Sequence, residues 1–319
     1  MISPHVFYWG KIMSDPITST EAVQVSVKVK KEAGTVAQFL ALTKPRIYIA
    51  IAITALMGLA LQKDFTQYSF WITLSLVVST ILASAGGAVL NHYFERDTDS
   101  LMDRTKDRPL VTGSIASPKQ ALYFGWAITI LGNLLCYVTL GAWATFWLFL
   151  GFFTYVFVYT LWVKHRSQWN VTLGGLCSSF AVLAGDTAIS GEISTNGIIL
   201  SFLLFFWNPA HFWNLAVLFQ KDYAKAGIPM LPHMVGRKNT QWFILLHVVL
   251  TVASSIFLGI FGSPGSFYLI VASIAGVLLI LANIQNLFLL SDKTFRRNFI
   301  CANMYLMILF IGIALDFFV

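Results

Sequence analysis

Residues 266–290, Ser-Phe-Tyr-Leu-Ile-Val-Ala-Ser-Ile-Ala-Gly-Val-Leu-Leu-Ile-Leu-Ala-Asn-Ile-Gln-Asn-Leu-Phe-Leu-Leu, run for 25 positions without a charged side chain. A helix rises about 1.5 Å per residue, so this stretch is long enough to cross a hydrocarbon core of about 30 Å with some tilt. Comparable apolar runs lie outward from it, near 46–62, 70–90, 121–140, 143–163, 171–190, 197–219, 241–261 and 298–318, making nine in all. Backbone N–H and C=O groups in lipid must be satisfied within their own segment, so each run is expected to be helical. Alternation of period two is absent, which excludes an outer-membrane barrel. The expected fold is all-α: a polytopic membrane helix bundle of about nine transmembrane helices.

The composition agrees. Of 319 residues 57% are apolar and 11% charged, where soluble domains carry near 25% charged residues. A net charge of +7 fits a protein facing an anionic leaflet; the basic residues are spread over several short loops, so no nucleic-acid partner is expected. Cys136, Cys177 and Cys301 all fall inside apolar runs, which argues against disulfides and against a thiolate metal site.

The loops give the orientation. With the N-terminus on one side, that side holds the tail and the loops 91–120, 164–170, 220–240 and 291–297. Together these carry 20 of the 21 Lys and Arg residues, and the other side holds only Lys63. Positive-inside bias makes the basic side cytoplasmic. The N-terminus is then cytoplasmic and Val319 lies outside. Val6–Trp9 is too short for a signal-peptide core, and no arginine precedes Arg46, unlike a mitochondrial presequence. Residues 1–40 are expected as a cytoplasmic tail and 41–319 as the membrane domain. The cytoplasmic loops are the longer and more polar ones, so the chemistry is expected at that end.

After the second run the chain continues Asn91-His92-Tyr93-Phe94-Glu95-Arg96-Asp97-Thr98-Asp99-Ser100-Leu101-Met102-Asp103-Arg104-Thr105-Lys106-Asp107-Arg108-Pro109-Leu110. Asn91, Glu95, Asp99 and Asp103 recur every four residues, which lines them along one face of a continuing helix. Three carboxylates on one face repel, and a divalent cation between them relieves the repulsion. Oxygen donors, with Asn as a neutral helper, suit Mg²⁺, whose coordination is commonly completed by substrate phosphates. Arg104, Lys106 and Arg108 follow at once, and guanidinium groups match phosphate oxygens. Pro109 is expected to end the helix. The competing reading is a solvated loop of mixed charge. The basic cluster beside the carboxylates, at the mouth of a membrane bundle, favours a magnesium-diphosphate site.

This motif, Asn-x-x-x-[Asp/Glu]-x-x-x-Asp followed by Met-x-Arg-Thr-x-x-Arg-Pro, resembles the first acidic motif of the intramembrane prenyltransferases of UbiA type, and in its specific form the haem branch of that family, the protohaem IX farnesyltransferases. The resemblance implies that Asn91, Glu95 and Asp99 hold the magnesium of a polyprenyl diphosphate. Glu95 stands where many members have Asp. Asp97 matches the haem branch but lies off the Asn91 face. His92 stands where other members often have Asp and is read as non-catalytic.

Further segments carry the same resemblance. Leu42-Thr43-Lys44-Pro45-Arg46 is similar to the family's stretch before the first span; Lys44 and Arg46 either face the diphosphate or snorkel to lipid headgroups. Tyr159-Thr160-Leu161-Trp162-Val163-Lys164-His165-Arg166 ends the fourth run, and the resemblance gives Lys164 and Arg166 to the leaving diphosphate and Tyr159 to the allyl group; the alternative is an interfacial belt. Phe206-Trp207-Asn208-Pro209-Ala210-His211-Phe212-Trp213 resembles the haem branch, as does Lys221-Asp222-Tyr223-Ala224-Lys225-Ala226-Gly227-Ile228-Pro229-Met230-Leu231-Pro232. An ionisable group within a span is functional by default, so His211 is a candidate iron ligand or proton acceptor, against a histidine satisfied by a neighbouring helix. Asn214 and Asp222 echo the spacing of Asn91 and Asp99, with Leu218 at the middle position; the family has two pseudo-symmetric acidic motifs, so the resemblance implies that Asp222 assists a second ion and Lys221 binds substrate, the alternative being an echo by chance. Ala181-Val182 and Asp186 depart from the haem branch, and Asp186 is either solvated or in contact with the acceptor.

What the resemblance implies is transfer of a farnesyl group from farnesyl diphosphate to a vinyl group of protohaem IX, giving haem O and diphosphate. Catalytic roles fall to Asn91, Glu95, Asp99, Lys164, His211 and Asp222, and substrate binding to Lys44, Arg46, Arg104, Arg108, Tyr159, Arg166 and Lys221. Mg²⁺, held by Asn91, Glu95, Asp99 and Asp222, is the expected cofactor; haem is a substrate. The expected partners are these two substrates, the lipid bilayer and a haem-using oxidase assembly, in the cell's inner membrane. Prenylation of a quinone precursor or other aromatic acceptor is the same-class alternative, and a membrane transporter the alternative of another class.

Overall fold

The computed structural model describes residues 35–62, 70–115 and 117–316, and every regular element among them is helical. Most of the expected tail, the Lys63 loop and Val319 lie outside the described residues. In chain order the elements are α1 (Thr35–Leu42), α2 (Pro45–Ala60), α3 (Phe70–Asp99), α4 (Pro118–Leu140), α5 (Ala142–Phe153), α6 (Asn170–Gly174), α7 (Leu176–Asp186), α8 (Thr195–Leu218), α9 (Gln220–Lys225), α10 (Leu231–Phe261), α11 (Ser266–Leu289) and α12 (Asp292–Asp316). A π-helix, Thr154–Trp162, and a 3₁₀ turn, Val163–His165, continue α5.

Among the described residues seven helices are long and apolar enough to cross a membrane: α3, α4, α5 with its continuation, α8, α10, α11 and α12. The bent pair Val36–Leu42 and α2, at 52° to each other, makes an eighth if taken as one span. The bend sits where the pattern requires it. Lys44 adopts a left-handed backbone, φ 53°, and Pro45 opens α2; the ring of a proline disfavours helix in the residue before it. The ninth expected run, 171–190, is divided into α6 and α7 around Gly174 and Gly175, and neither piece spans alone. A side chain at Gly174 would start 2.8 Å from the Tyr159 ring, and one at Gly175 would start 3.1 Å from Asn208. Glycine is what lets these neighbours approach.

Two packed halves meet along α7 and α8. In the first, α2 lies against α3 and α7 over small residues such as Ala55, Ala83 and Ala184. In the second, Trp213, Tyr268, Phe295 and Tyr305 fill the space among α8, α10, α11 and α12. Buried amides join the latter helices: Asn286 donates to Gln241 at 2.8 Å and Asn298 to Asn283 at 3.1 Å, the polar contacts that tie helices together where water is absent. Large apolar side chains such as Leu131, Val138, Leu278 and Phe288 face outward.

The helix of the acidic motif ends earlier than its spacing suggests. α3 stops at Asp99, ahead of Pro109, and the chain turns over, with Thr105 Oγ1 donating to the Asp99 carbonyl at 2.8 Å. Asp103 therefore leaves the face shared by Asn91, Glu95 and Asp99.

Candidate active site

The last turns of α3 carry Asn91, Glu95 and Asp99, which are 2%, 3% and 1% exposed. Each meets a cation from a different segment. Lys44, at the break between α1 and α2, donates to Asn91 Oδ1 at 2.6 Å and to the Tyr155 hydroxyl at 3.3 Å. Lys164, from the 3₁₀ turn, is ion-paired with Glu95 Oε1. Arg108, from the turns after α3, donates to Asp99 Oδ2 at 2.5 Å. Ions taken out of water are tolerated only when paired, and these pairings account for a ladder of polar groups so deeply buried.

The π-helix shapes the wall opposite α3. Its wider turn lets Thr160 Oγ1 donate to the Tyr155 carbonyl, five residues back, at 2.9 Å, while Thr160 Oγ1 accepts from Asn91 Nδ2 at 3.0 Å. The Tyr155 and Tyr159 rings stack with centroids 6.1 Å apart, and Lys164 Nζ lies 5.7 Å from the Tyr159 centroid. Such π segments recur at functional sites.

The second polar motif joins through the turns after α3. Asp222, on α9, accepts from the Arg104 backbone N–H at 3.3 Å. The Arg104 guanidinium lies over Phe219 and Tyr223, 5.4 and 5.9 Å from their centroids, and burial pushes the Tyr223 phenol above its usual range. Asp103 accepts from Lys225 at 2.6 Å and from Lys106 at 3.0 Å. These hydrogen bonds, Lys225 first, hold its carboxyl down at about 2.

The donors fit a hard divalent cation, being oxygen throughout. Asp99 Oδ1 and Asn214 Oδ1 are buried acceptors without a partner, the kind of atom a ligand satisfies. Among the described residues no three His, Cys, Asp or Glu side chains form a ready cage, because the carboxylates stand on successive turns and are ion-paired.

A sequence profile of the UbiA prenyltransferase family matches residues 51–309. The chain belongs to the UbiA prenyltransferase family. It is 38% identical to protoheme IX farnesyltransferase 1 of Paramagnetospirillum magneticum over 88% of this chain and 98% of that protein. It is 35% identical to protoheme IX farnesyltransferase 1 of Cenarchaeum symbiosum over 88% and 95%. Two solved structures share the UbiA fold. A digeranylgeranylglyceryl phosphate synthase superposes with a TM-score of 0.74 at 20% identity, covering 88% of this chain and 98% of that one. A UbiA homolog from Archaeoglobus fulgidus bound to DMAPP and Mg²⁺ superposes with a TM-score of 0.65 at 17% identity, covering 87% and 99%.

In this UbiA-family chain the bundle gathers Lys44, Asn91, Glu95, Asp99, Arg108, Tyr159 and Lys164, and reaches Arg104 and Asp222 through the turns. It does not gather Arg46, Arg166 or Lys221, which are exposed and whose side chains make none of the described bonds. His211 faces α12: Asn303 Nδ2 lies 3.0 Å from its Nδ1, and its ring sits 4.6 Å from Trp207 and 4.5 Å from Phe299. Asp186 is buried and not solvated. It accepts from Gln62 at 2.5 Å and from the Ser194 N–H and hydroxyl at 2.8 and 2.6 Å, bracing the start of α8. Sequence reading missed Tyr155 and Thr160. Tyr155, one turn before Tyr159 at the end of a span, was the available signal; nothing in the sequence marked the π-helix.

Proposed function

We propose that this chain transfers the farnesyl group of farnesyl diphosphate to a vinyl group of protohaem IX, giving haem O and diphosphate. The observation that carries the donor half is the meeting of Asn91, Glu95 and Asp99 with Lys44, Lys164 and Arg108 at one end of a membrane bundle. The acceptor half rests on relatives named protoheme IX farnesyltransferase over nearly their whole length.

Asn91, Glu95 and Asp99 would hold magnesium, with Asp222 assisting; the ion, when bound, neutralises charge on the leaving diphosphate. Lys44, Lys164 and Arg108 would exchange their present acceptors for diphosphate oxygens, in charge-assisted hydrogen bonds. Arg104 lies on the same turns and completes the basic rim, with Arg46, Arg166 and Lys221 on the approach. As the C–O bond breaks, its electron pair leaves with the diphosphate. The π faces of Tyr155 and Tyr159 stabilise the allylic cation. The vinyl π electrons form the new C–C bond, and water adds to the resulting cation and loses a proton, leaving a hydroxyl. The apolar bundle keeps water from the first cation. On the acceptor side, Asn303 Nδ2 donates to His211 Nδ1, so the neutral ring carries its proton on Nε2 and would present an N–H donor to the haem, not a free lone pair to its iron. The basic end of the bundle faces the cytoplasm of a cell whose inner membrane holds it, and the product passes to a haem-using oxidase assembly.

The test is the purified, reconstituted protein with both substrates, read by mass spectrometry of the haems and by diphosphate release. Haem O together with diphosphate is expected. Diphosphate release into a different aromatic acceptor would move the assignment to a quinone-type precursor, and no release with any acceptor would overturn prenyl transfer.

A further inference from the structure

An apolar cleft opens beside the polar ladder and runs away from it, among α2, α3, α5 and α7. It encloses about 590 Å³ of empty space, counting the part open to the outside. Tyr155 stands at its polar end, the same residue that accepts from Lys44. Trp147 stands at its far end, where Ala83 and Leu148 belong to the packed core of the first half. The Trp147 ring stacks on Phe180, centroids 5.8 Å apart and 23° between planes.

We infer that Trp147, braced by Phe180, is the specificity residue that sets how long a prenyl chain this protein accepts. The inference rests on the prenyl-diphosphate reading above. Eight residues separate Trp147 from Tyr155, which is roughly 12 Å of helix at about 1.5 Å per residue. Three isoprene units, with C–C bonds of about 1.5 Å advancing roughly 1.2 Å each in an extended chain, need about 13 Å. A farnesyl group therefore fills the distance from the tyrosine pair to the indole, and a fourth isoprene unit runs into it.

The midpoint of the cleft agrees. Gly151 lies one turn from Tyr155 and lines the cleft. In mid-helix a glycine is about 1 kcal/mol worse than alanine. Helix packing alone does not demand it here: an added Cβ would meet Cys177 O at 3.5 Å and Phe180 Cβ at 3.6 Å, ordinary contacts. What a longer side chain at 151 would take is the space of the cleft.

The experiment measures kcat/KM for geranyl, farnesyl and geranylgeranyl diphosphates with protohaem IX in the reconstituted enzyme. Trp147→Ala is expected to raise the geranylgeranyl-to-farnesyl ratio by about tenfold or more, equivalent to about 1.4 kcal/mol. Trp147→Phe keeps the stack and should keep the native preference. Gly151→Leu should move preference the other way, toward geranyl. Independently of turnover, in a Cys136→Ala/Cys301→Ala background, farnesyl diphosphate should slow alkylation of Cys177 by N-ethylmaleimide and dimethylallyl diphosphate should not. Unchanged ratios in both Trp147→Ala and Gly151→Leu, or Cys177 labelling indifferent to farnesyl diphosphate, would overturn the inference. Protection of Cys177 without prenyl transfer by the native protein would instead overturn the proposed activity while leaving Trp147 as the end of the chain's berth.

Discussion

Glu95 and Lys164 are buried together, so their pairing affects stability and chemistry in separable ways. Removing one partner leaves an uncompensated charge, at a cost of about 3–5 kcal/mol, whereas replacing both is far milder. Lys164→Met alone should therefore lower the thermal midpoint in detergent, and adding Glu95→Gln should restore most of it. Neither variant should turn over. Recovery of activity in the double variant would remove both residues from the chemistry. His211 gives a second test. His211→Ala should lose haem O formation, read by mass spectrometry, and retain farnesyl diphosphate binding, because its described contacts go to Asn303, Trp207 and Phe299 and none goes to the ladder. Loss of donor binding as well would make it a bundle-packing residue. At this scale much was legible. Asn91, Glu95 and Asp99 followed from a four-residue period. Arg46 and Arg166 did not follow, since a basic residue two positions from a buried one on a helix or tight turn points elsewhere. Thr160 reaches Asn91 only because the turn around it is a π turn, and residue identity carries no mark of that.

Among the elements, α3 and α9 are tied across the turns that follow α3. Lys225 and Lys106 both donate to Asp103, and Asp222 accepts from Arg104. The Asp103 carboxyl is depressed to about 2 from an ordinary value near 4. The sign follows. The tie is fully formed above the ordinary value, so it is intact at neutral pH, and it is lost as pH falls from about 4 through about 2. Hydrogen exchange at neutral pH should be faster in Asp103→Asn than in the native chain across 100–113 and 220–227. After correction for intrinsic rates, the difference should close as the native protein is acidified through that window. Equal exchange at neutral pH would mean that the tie orders neither segment. The helix spacing that found Asn91, Glu95 and Asp99 overreached here, because Asp103 keeps the period and the helix does not continue. The run at 171–190 is helical, as its apolar length suggests, but its interruption at a Gly-Gly pair yielding to Tyr159 and Asn208 is a tertiary fact.

The whole molecule has two unlike ends. Far from the ladder, Asn196 Nδ2 donates to Leu61 O at 2.8 Å and Ser263 Oγ at 2.6 Å, Gln62 donates to Asp186, and Asp316 accepts from the Gly265 N–H. The turns near 61, 186–196, 262–265 and the end of α12 thus gather together, as the distribution of basic residues anticipated. Cysteines placed at 103 and 225 should be labelled by an impermeant reagent only from the cytoplasmic face of vesicles, and cysteines at 192 and 263 only from the other. Labelling of 103 and 263 from one face would sink this orientation.

Lys44, Lys164 and Arg108 come with acceptors already in hand, and Glu95 and Asp99 offset two of their three positive charges before any substrate arrives. An arriving diphosphate trades places with groups the protein already holds, in the manner of an ion exchanger, and does not fall into an open positive field. Buried pairs are little screened by mobile ions. The KM for the donor should accordingly vary only weakly with ionic strength, and inorganic diphosphate should compete at any salt concentration. Side chains that already hold one another also draw in less water before the donor and its magnesium arrive, which keeps water out of the path a carbocation must survive.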